Sequence, residues 1–458
     1  MGEETSTDAA PAVGENRISA EAEVVETAEE VPKRAMDSDV ESTTSDGIPQ
    51  YLYDAIDKLA PGEGFTPGQF KVAFEPGSGK GDGFVGEMFR AYIREADREL
   101  IVLCKIPPRN EARRRQFGSL AIFEREVMAY SKFLPAMYEF QRERGVTEEL
   151  KLGFFNAPKC YYATHEESLE QSLVVMDDLR LEGYRMWNKL VPVNYEHVRL
   201  MMIKLGKLHA VSFAMKDQRP EVFEQFKVPD PMAAAMSQNE PFQQVMLSSL
   251  DRAMGLLEPD ETKTREKLQK LRENLMSDLV KMSESTAAEP YAVLGHGDCW
   301  VNNMMYLYQN GVPKEMVMVD WQICRYVSPV LDLVYFLFCC TDEQFRRQHY
   351  DDMIRTYYAS LKELLEKLGG DATRQFPYTA LLRQLRRFGR FGLIMAVFVI
   401  PVLCMENADI PDLDQQAEKF KETQEVNMSA FMTTGKAELK YRNRMGGVIR
   451  DMVKFGYL

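Results

Sequence analysis

Between Val293 and Gln322 the chain carries side chains whose types and spacing suit phosphoryl transfer. The run Val-Leu-Gly-His-Gly-Asp-Cys-Trp-Val-Asn-Asn delivers His296, Gly297 and Asp298 from an apolar, strand-like stretch into a turn, and Asn303 follows Asp298 by five residues. A Gly-Val-Pro turn from Gly311 to Pro313 and a second β-branched run then lead to Asp320. Moving a phosphoryl group onto a hydroxyl asks for a carboxylate that accepts the hydroxyl proton. It also asks for an amide oxygen and a second carboxylate that hold magnesium against the phosphates. Asp298, Asn303 and Asp320 are those types in that order: a candidate base, then two candidate catalytic metal ligands. The alternative is a capped turn and a hairpin, with Asp298 and Asn303 as turn formers. The first motif alone leaves that alternative standing; a carboxylate at the end of the second strand weakens it.

Other elements must bring a nucleotide to these groups. Phe70 to Phe74 alternates as a strand and runs into Glu-Pro-Gly-Ser-Gly-Lys-Gly-Asp-Gly (75–83), after which Phe84 to Ile93 reads as a second strand. Strand, glycine loop, strand is an arrangement that lays backbone amides over phosphates, here from Gly77, Ser78, Gly79, Lys80 and Gly81. It is not a Walker loop, because Lys80 lacks a following Ser or Thr and position 74 is Phe. On its own the loop reads equally as a flexible hairpin tip.

A third strand, Glu99 to Ile106, carries Lys105 near its end, and a helix is expected from Phe117 to Leu134. In that helix Glu126 has Ile122, Phe123, Val127 and Tyr130 around it, so it points partly inward and needs a cation. Lys105 is the natural partner, and their pairing would hold the lysine on the ATP phosphates. Two unrelated surface charges are the plain alternative. Further on, Tyr161-Tyr162 and Ser172 to Met176 read as strands ending in Asp177, Asp178 and Leu179, the place for a hinge whose backbone meets the adenine edge. Residues 181–290 are helical by pattern. His209 lies on an apolar helix and reads as structural, and Asp332, alone in an apolar helix, is expected to brace the catalytic loop.

Composition narrows the classes. The 458 residues exceed one small domain, with 45% hydrophobic and 28% charged side chains and a formal charge of -14. Residues 1–47 hold thirteen acids against Arg17, Lys33 and Arg34 and almost no aromatics, which predicts a disordered acidic tail. The remaining chain is close to neutral and has no basic excess for a phosphate backbone, so nucleic acid is not an expected partner. Seven cysteines without Cys-x-x-Cys spacing read as buried thiols in a reducing compartment. No apolar run is long enough to span a bilayer; Phe391 to Met405, broken by Pro401, reads as a core helix. Gly2 fits an acylation pattern formally, but Glu3 and Glu4 beside it would be repelled by anionic lipid.

The motif order resembles the ecdysteroid kinase-like family of insects, the CHK kinase-like domain, kin of choline and aminoglycoside kinases. The residues that carry the resemblance are Pro76-Gly-Ser-Gly-Lys-Gly-Asp, Phe123-x-x-Glu126-x-x-x-Tyr130, Met176-Asp-Asp-Leu, Leu208-His209-Ala-x-Ser-Phe, His296-Gly-Asp-x-Trp-Val-Asn-Asn and Asp320-Trp-Gln-x-x-Arg-Tyr-x-Ser-Pro-x-x-Asp-Leu. The resemblance covers nearly everything after residue 48. Trp321 and Cys299 stand where the pattern more usually has Phe and Leu. The resemblance implies an α+β, two-lobed protein-kinase-like fold, with a β-sheet N-lobe over 48–178 and a mostly helical C-lobe over 179–458. It also implies ATP and magnesium as cofactors, and a hydroxylated small molecule, an ecdysteroid or other lipophile, as acceptor. A cytoplasmic monomer is the expected setting. A catalytically silent fold that binds a lipophilic ligand or a protein partner is the competing reading, but such a fold has no chemical need for Lys105, Glu126, Asp298, Asn303 and Asp320 together.

Overall fold

The computed structural model describes residues 47–77, 86–230, 238–423 and 433–458. The acidic segment 1–46, with Gly2, and the loop residues Ser78, Gly79, Lys80 and Gly81 lie outside them. Five antiparallel strands form the first layer: β1 (Lys71–Pro76), β2 (Glu87–Glu95), β3 (Arg98–Ile106), β4 (Cys160–Glu166) and β5 (Gln171–Asp177), in the order β1-β2-β3-β5-β4. Strand side chains alternate between faces, and this sheet uses both. Val102, Cys104 and Ile106 join Leu173 and Val175 beneath the helix α1 (Gln50–Leu59), which contributes Leu52, Ile56 and Leu59. Leu103, Val174 and Met176 turn to the opposite face and merge with the main core. Lys105 has the parity of Leu103, so the strand itself aims the lysine at the inner face.

The single helix expected from Phe117 to Leu134 is broken and longer. It runs as α2 (Glu111–Phe117), α3 (Ser119–Met128) and α4 (Leu134–Arg142), with a π-helical turn over Ala129–Phe133. Gly118, at φ +59°, separates α2 from α3. The π turn precedes Pro135, which has no N–H for a carbonyl four residues back; a wider turn absorbs that missing bond.

The second layer is mostly helical: α5 (Tyr195–Gln218), α6 (Glu240–Met254), α7 (Thr262–Ser283), α8 (Val330–Cys340), α9 (Glu343–Lys367), α10 (Tyr378–Phe388), α11 (Phe391–Cys404), α12 (Leu413–Thr423) and α13 (Gly435–Lys454). Helix α8 is buried along its whole length and packs against α11, which carries Pro401 inside it. Among the described residues no single helix is long and apolar enough to cross a membrane. All seven cysteines are unpaired, and all but Cys160 are buried. Helix α12 returns to the sheet layer, where Asp414 meets Arg113 at 3.3 Å and Glu418 accepts from the Asn110 side chain at 3.0 Å.

Two small sheets carry the candidate site residues. One pairs β7 (Val293–Gly295) with β10 (Arg325–Val327); the other runs β6 (Arg185–Met186), β8 (Met304–Gln309), β9 (Val312–Met318). Strand β6 interrupts the stretch 181–290 expected to be helical; two residues carry no periodicity to betray them. The expected Gly311–Pro313 turn is also displaced. Asn310 (φ +53°) and Gly311 (φ +74°) make the turn, and Val312 and Pro313 already belong to β9. A two-residue hairpin asks for positive φ at both central positions, which Asn-Gly supplies. Pro313 is accommodated beside the register shift between Leu307 and Tyr308. The whole is the expected α+β, two-lobed arrangement: a β-sheet lobe, then a mostly helical one.

Candidate active site

Lys105 leaves β3 with Glu126 on one side and Asp320 on the other. Its Nζ lies 2.8 Å from Glu126 Oε1 and 2.7 Å from Asp320 Oδ1. Glu126 is fully buried, on the face of α3 that also buries Ile122, Phe123 and Val127. Burial alone would lower the lysine, but the Asp320 and Glu126 charges outweigh it and raise its pKa. Burial pushes Glu126 up, against the pull of Lys105. Asp320 follows β9 in the left-handed region, at φ +67°. For a side-chain-bearing residue that conformation costs about 1 kcal/mol, least for Asp and Asn, and such strain concentrates at functional positions.

The loop after β7 is built around its backbone. Gly297 has φ +87°, and a Cβ there would collide with the carbonyl of Ile323. Asp332, on α8, accepts the N–H of His296 at 2.9 Å and of Gly297 at 3.0 Å, the bracing role expected of it. Burial opposes the charge on Asp332, yet the hydrogen bond from His209 and the positive charges nearby hold it down to about 2. His209 is buried between Asp332 and Tyr357, as its structural reading requires. His296 ties the two motifs together: Nε2 meets the Val319 carbonyl at 3.0 Å, and Nδ1 accepts from the Asp298 N–H at 3.2 Å. Burial lowers its pKa. Trp321 packs edge-on against Phe133 and Phe154 and at a tilt against His296, and its indole N–H donates to the Met318 carbonyl. The indole that departs from the usual Phe is a buried anchor behind the loop.

Asp298 itself accepts two side-chain hydrogen bonds, Tyr335 Oη to Oδ1 at 2.9 Å and Asn303 Nδ2 to Oδ2 at 2.8 Å. Burial pushes its carboxyl up to about 6, with help from the Asp320 charge; Tyr335 and Asn303 pull it back. Asn303 stands across from Val319, whose N–H donates to the Asn303 carbonyl at 3.0 Å, so the strand pair places Asn303 next to Asp320. With its nitrogen spent on Asp298, the amide oxygen of Asn303 is the atom left for another partner. Among the described residues no three His, Cys, Asp or Glu side chains cluster as a closed metal cage. An amide oxygen and a carboxylate are hard oxygen donors, which suits magnesium: it takes one or two protein ligands and completes its shell from phosphate and water.

The segment after β5 departs from the simple picture of a backbone hinge. The Asp177 carboxylate accepts from Tyr161 at 2.6 Å, and its N–H donates to the Lys159 carbonyl. The Asp178 side chain is fully buried, bonded by Arg90 from β2 at 2.6 Å and by Arg180 at 2.8 Å. Arg180 also donates to the carbonyl of Gly77 at 2.9 Å, while the Gly77 N–H donates to Met88. Leu179 is buried beside Met305 and Val317. The structure thus joins Lys105, Glu126 and Asp320 directly, pairs Asp298 with Asn303, and links Gly77 to Asp178 through Arg180, with Asp177 and Leu179 flanking Asp178, whereas Ser78 to Gly81 lie outside the described residues. Sequence reasoning missed Arg90, Arg180 and Tyr335. Tyr335 had a legible signal, three residues beyond Asp332 on one helix; the arginines had none.

Over 277 residues the chain is 24% identical to the Caenorhabditis elegans protein called uncharacterized oxidoreductase dhs-27, covering 59% of this chain but only 32% of that one. Among solved structures, the GDP complex of wild-type aminoglycoside 2'-phosphotransferase-IIIa aligns over 81% of this chain and 97% of its own, at 13% identity and a TM-score of 0.35. Plasmodium vivax ethanolamine kinase aligns over 88% and 91%, at 10% identity and a TM-score of 0.37. The model of the ecdysteroid kinase-like family matches residues 80–370, a narrower span than everything after residue 48. That is more than half of the sequence, and the chain belongs to the ecdysteroid kinase-like family.

Proposed function

We propose that the protein transfers the γ-phosphoryl group of ATP, with magnesium, to a hydroxyl of an ecdysteroid or another hydroxylated lipophile. The observation that carries this reading is the convergence of Lys105 on Glu126 and Asp320, beside the Asp298–Asn303 pair. In this reading residues 48–178 form the nucleotide-side lobe and 179–458 the lobe that holds the acceptor. Gly77 to Gly81 cover the phosphates, Lys105 reaches them under the guidance of Glu126, and the backbone near Asp177, Asp178 and Leu179 meets the base. Asn303 and Asp320 would hold the metal, which would supply positive charge to the phosphates. The acceptor oxygen forms a bond to the γ-phosphorus, the bond to the ADP oxygen breaks, and Asp298 takes the hydroxyl proton. The seven unpaired cysteines favour a reducing compartment, and we place the enzyme in the cytoplasm as a monomer.

The test is Asp298→Asn. It keeps the size of the side chain and removes its charge and basicity. Turnover with an ecdysteroid panel should fall by about 10²–10⁴-fold, while calorimetric affinity for MgATP stays near the wild-type value. A wild-type protein that binds no MgATP would sink the reading.

A further inference from the structure

Helix α8 touches the catalytic loop with two side chains from one face. Residues three apart on a helix are neighbours, and Asp332 and Tyr335 are such a pair. Asp332 takes the two backbone amides of His296 and Gly297; Tyr335 donates to Asp298 Oδ1 at 2.9 Å. Tyr335 is only 3% exposed, and burial with the neighbouring carboxylate keeps its phenol protonated, so it is a standing donor. The rest of α8 is apolar apart from Asp332 and two cysteines, and a Phe at 335 would fill nearly the same volume. The buried hydroxyl has a cost unless it finds a partner, and the partner it has is Asp298.

The consequence is geometric. One oxygen of Asp298 is fixed by Asn303 and the other by Tyr335, so the carboxylate plane cannot turn freely. Each oxygen still keeps a lone pair, since an ionised carboxylate has about four acceptor sites. We propose that Tyr335 is a positioning residue of the phosphoryl transfer, fixing the plane of Asp298 so that a free lone pair faces the acceptor hydroxyl. It touches no reacting atom and acts through Asp298 alone. The proposal rests on the kinase reading given above, and goes beyond it in assigning a residue of α8 to the reaction.

The experiment is a double-mutant cycle on the full chain, with wild type, Tyr335→Phe, Asp298→Asn and the double variant. ADP release from MgATP is followed with an ecdysteroid panel and with water alone as acceptor, together with KM for ATP and the melting temperature. Tyr335→Phe should lower kcat about 10-fold or more, the loss of one hydrogen bond to a charged group. KM for ATP should not move. In the Asp298→Asn background the same change should have no further effect, because the group it positions is gone. Three results would overturn the proposal: an unchanged kcat in Tyr335→Phe, a loss that persists in full beside Asp298→Asn, or a loss confined to KM for ATP and melting temperature. A wild type that neither binds MgATP nor releases ADP is a different failure. That result removes the kinase reading, and the positioning role with it.

Discussion

One ammonium, that of Lys105, holds two carboxylates from opposite lobes: Glu126 on the helix behind the sheet and Asp320 after the last strand of the catalytic hairpin. The trio carries a net charge of about -1 when both acids are ionised. A metal–nucleotide complex entering there would compete with Asp320 for the lysine and offer the carboxylate a doubly charged partner instead.

Substitution at Asp320 therefore separates charge from backbone. Asp320→Asn tolerates the left-handed conformation and should leave the melting temperature close to wild type, while ADP release drops by at least about 10²-fold for want of an anionic ligand. Asp320→Ala should lose the same activity and, in addition, about 1 kcal/mol of stability, because alanine at φ +67° is strained. Retained turnover in Asp320→Asn at saturating magnesium would remove Asp320 from the metal site.

The clamp on Asp178 gives a second prediction. Removing this fully buried carboxylate leaves Arg90, whose side chain is 13% exposed, with Glu75 as its remaining anion. Breaking a buried pair from one side costs about 3 kcal/mol, so Asp178→Ala should show a markedly lower denaturant midpoint. Arg180→Ala removes an outer member of the same group and its bond to Gly77. It should cost less stability and weaken MgATP binding more. Equal effects on both readouts in the two variants would show that the clamp is structural only.

Asp332 sets an acid limit. Its folded pKa is held down to about 2 from an ordinary 3.8. A depressed acid stabilises the fold above its unfolded pKa, and that stability is lost as pH falls through the folded value. The contribution is about 2 kcal/mol. It should be fully present at pH 5 and vanish between about pH 4 and pH 2. In Asp332→Asn the difference from wild type should shrink across that window; a constant difference from pH 7 to pH 2 would contradict the assignment.

Much of this was legible in the residues. Lys105 could be singled out because a partly buried Glu126 needs a cation. Glu126 could be turned inward because its helical neighbours are apolar. The His296 to Asn303 spacing and the carboxylate at Asp320 carried the chemistry. What escaped was long-range or irregular. Arg90 meets Asp178 across 88 residues, and Arg180, a sequence neighbour of Asp178, reaches the distant carbonyl of Gly77; neither long-range pairing is encoded in a local pattern. The π turn before Pro135 and the two-residue β6 leave too few residues for a period to show. The hairpin turn begins one residue earlier than expected, because Asn310-Gly311 is a stronger turn former than the Gly-Val-Pro run that Pro313 suggested. The family match stops at residue 370, although the motif order suggested a longer reach.

Helix α12 adds a second link back to the sheet layer. Two lobes joined only by the chain crossing after β5 would swing apart like a jaw. Here the far end of the sequence reaches back to α2, with Asp414 on Arg113 and Glu418 on Asn110, and Ala417 as its buried side chain. So little apolar surface is committed that charge and hydrogen bonding must hold this second joint. Charges at such a surface feel dissolved salt over about 8 Å at 0.15 M ionic strength. The strength of this second link is thereby set by the surrounding electrolyte as well as by the protein.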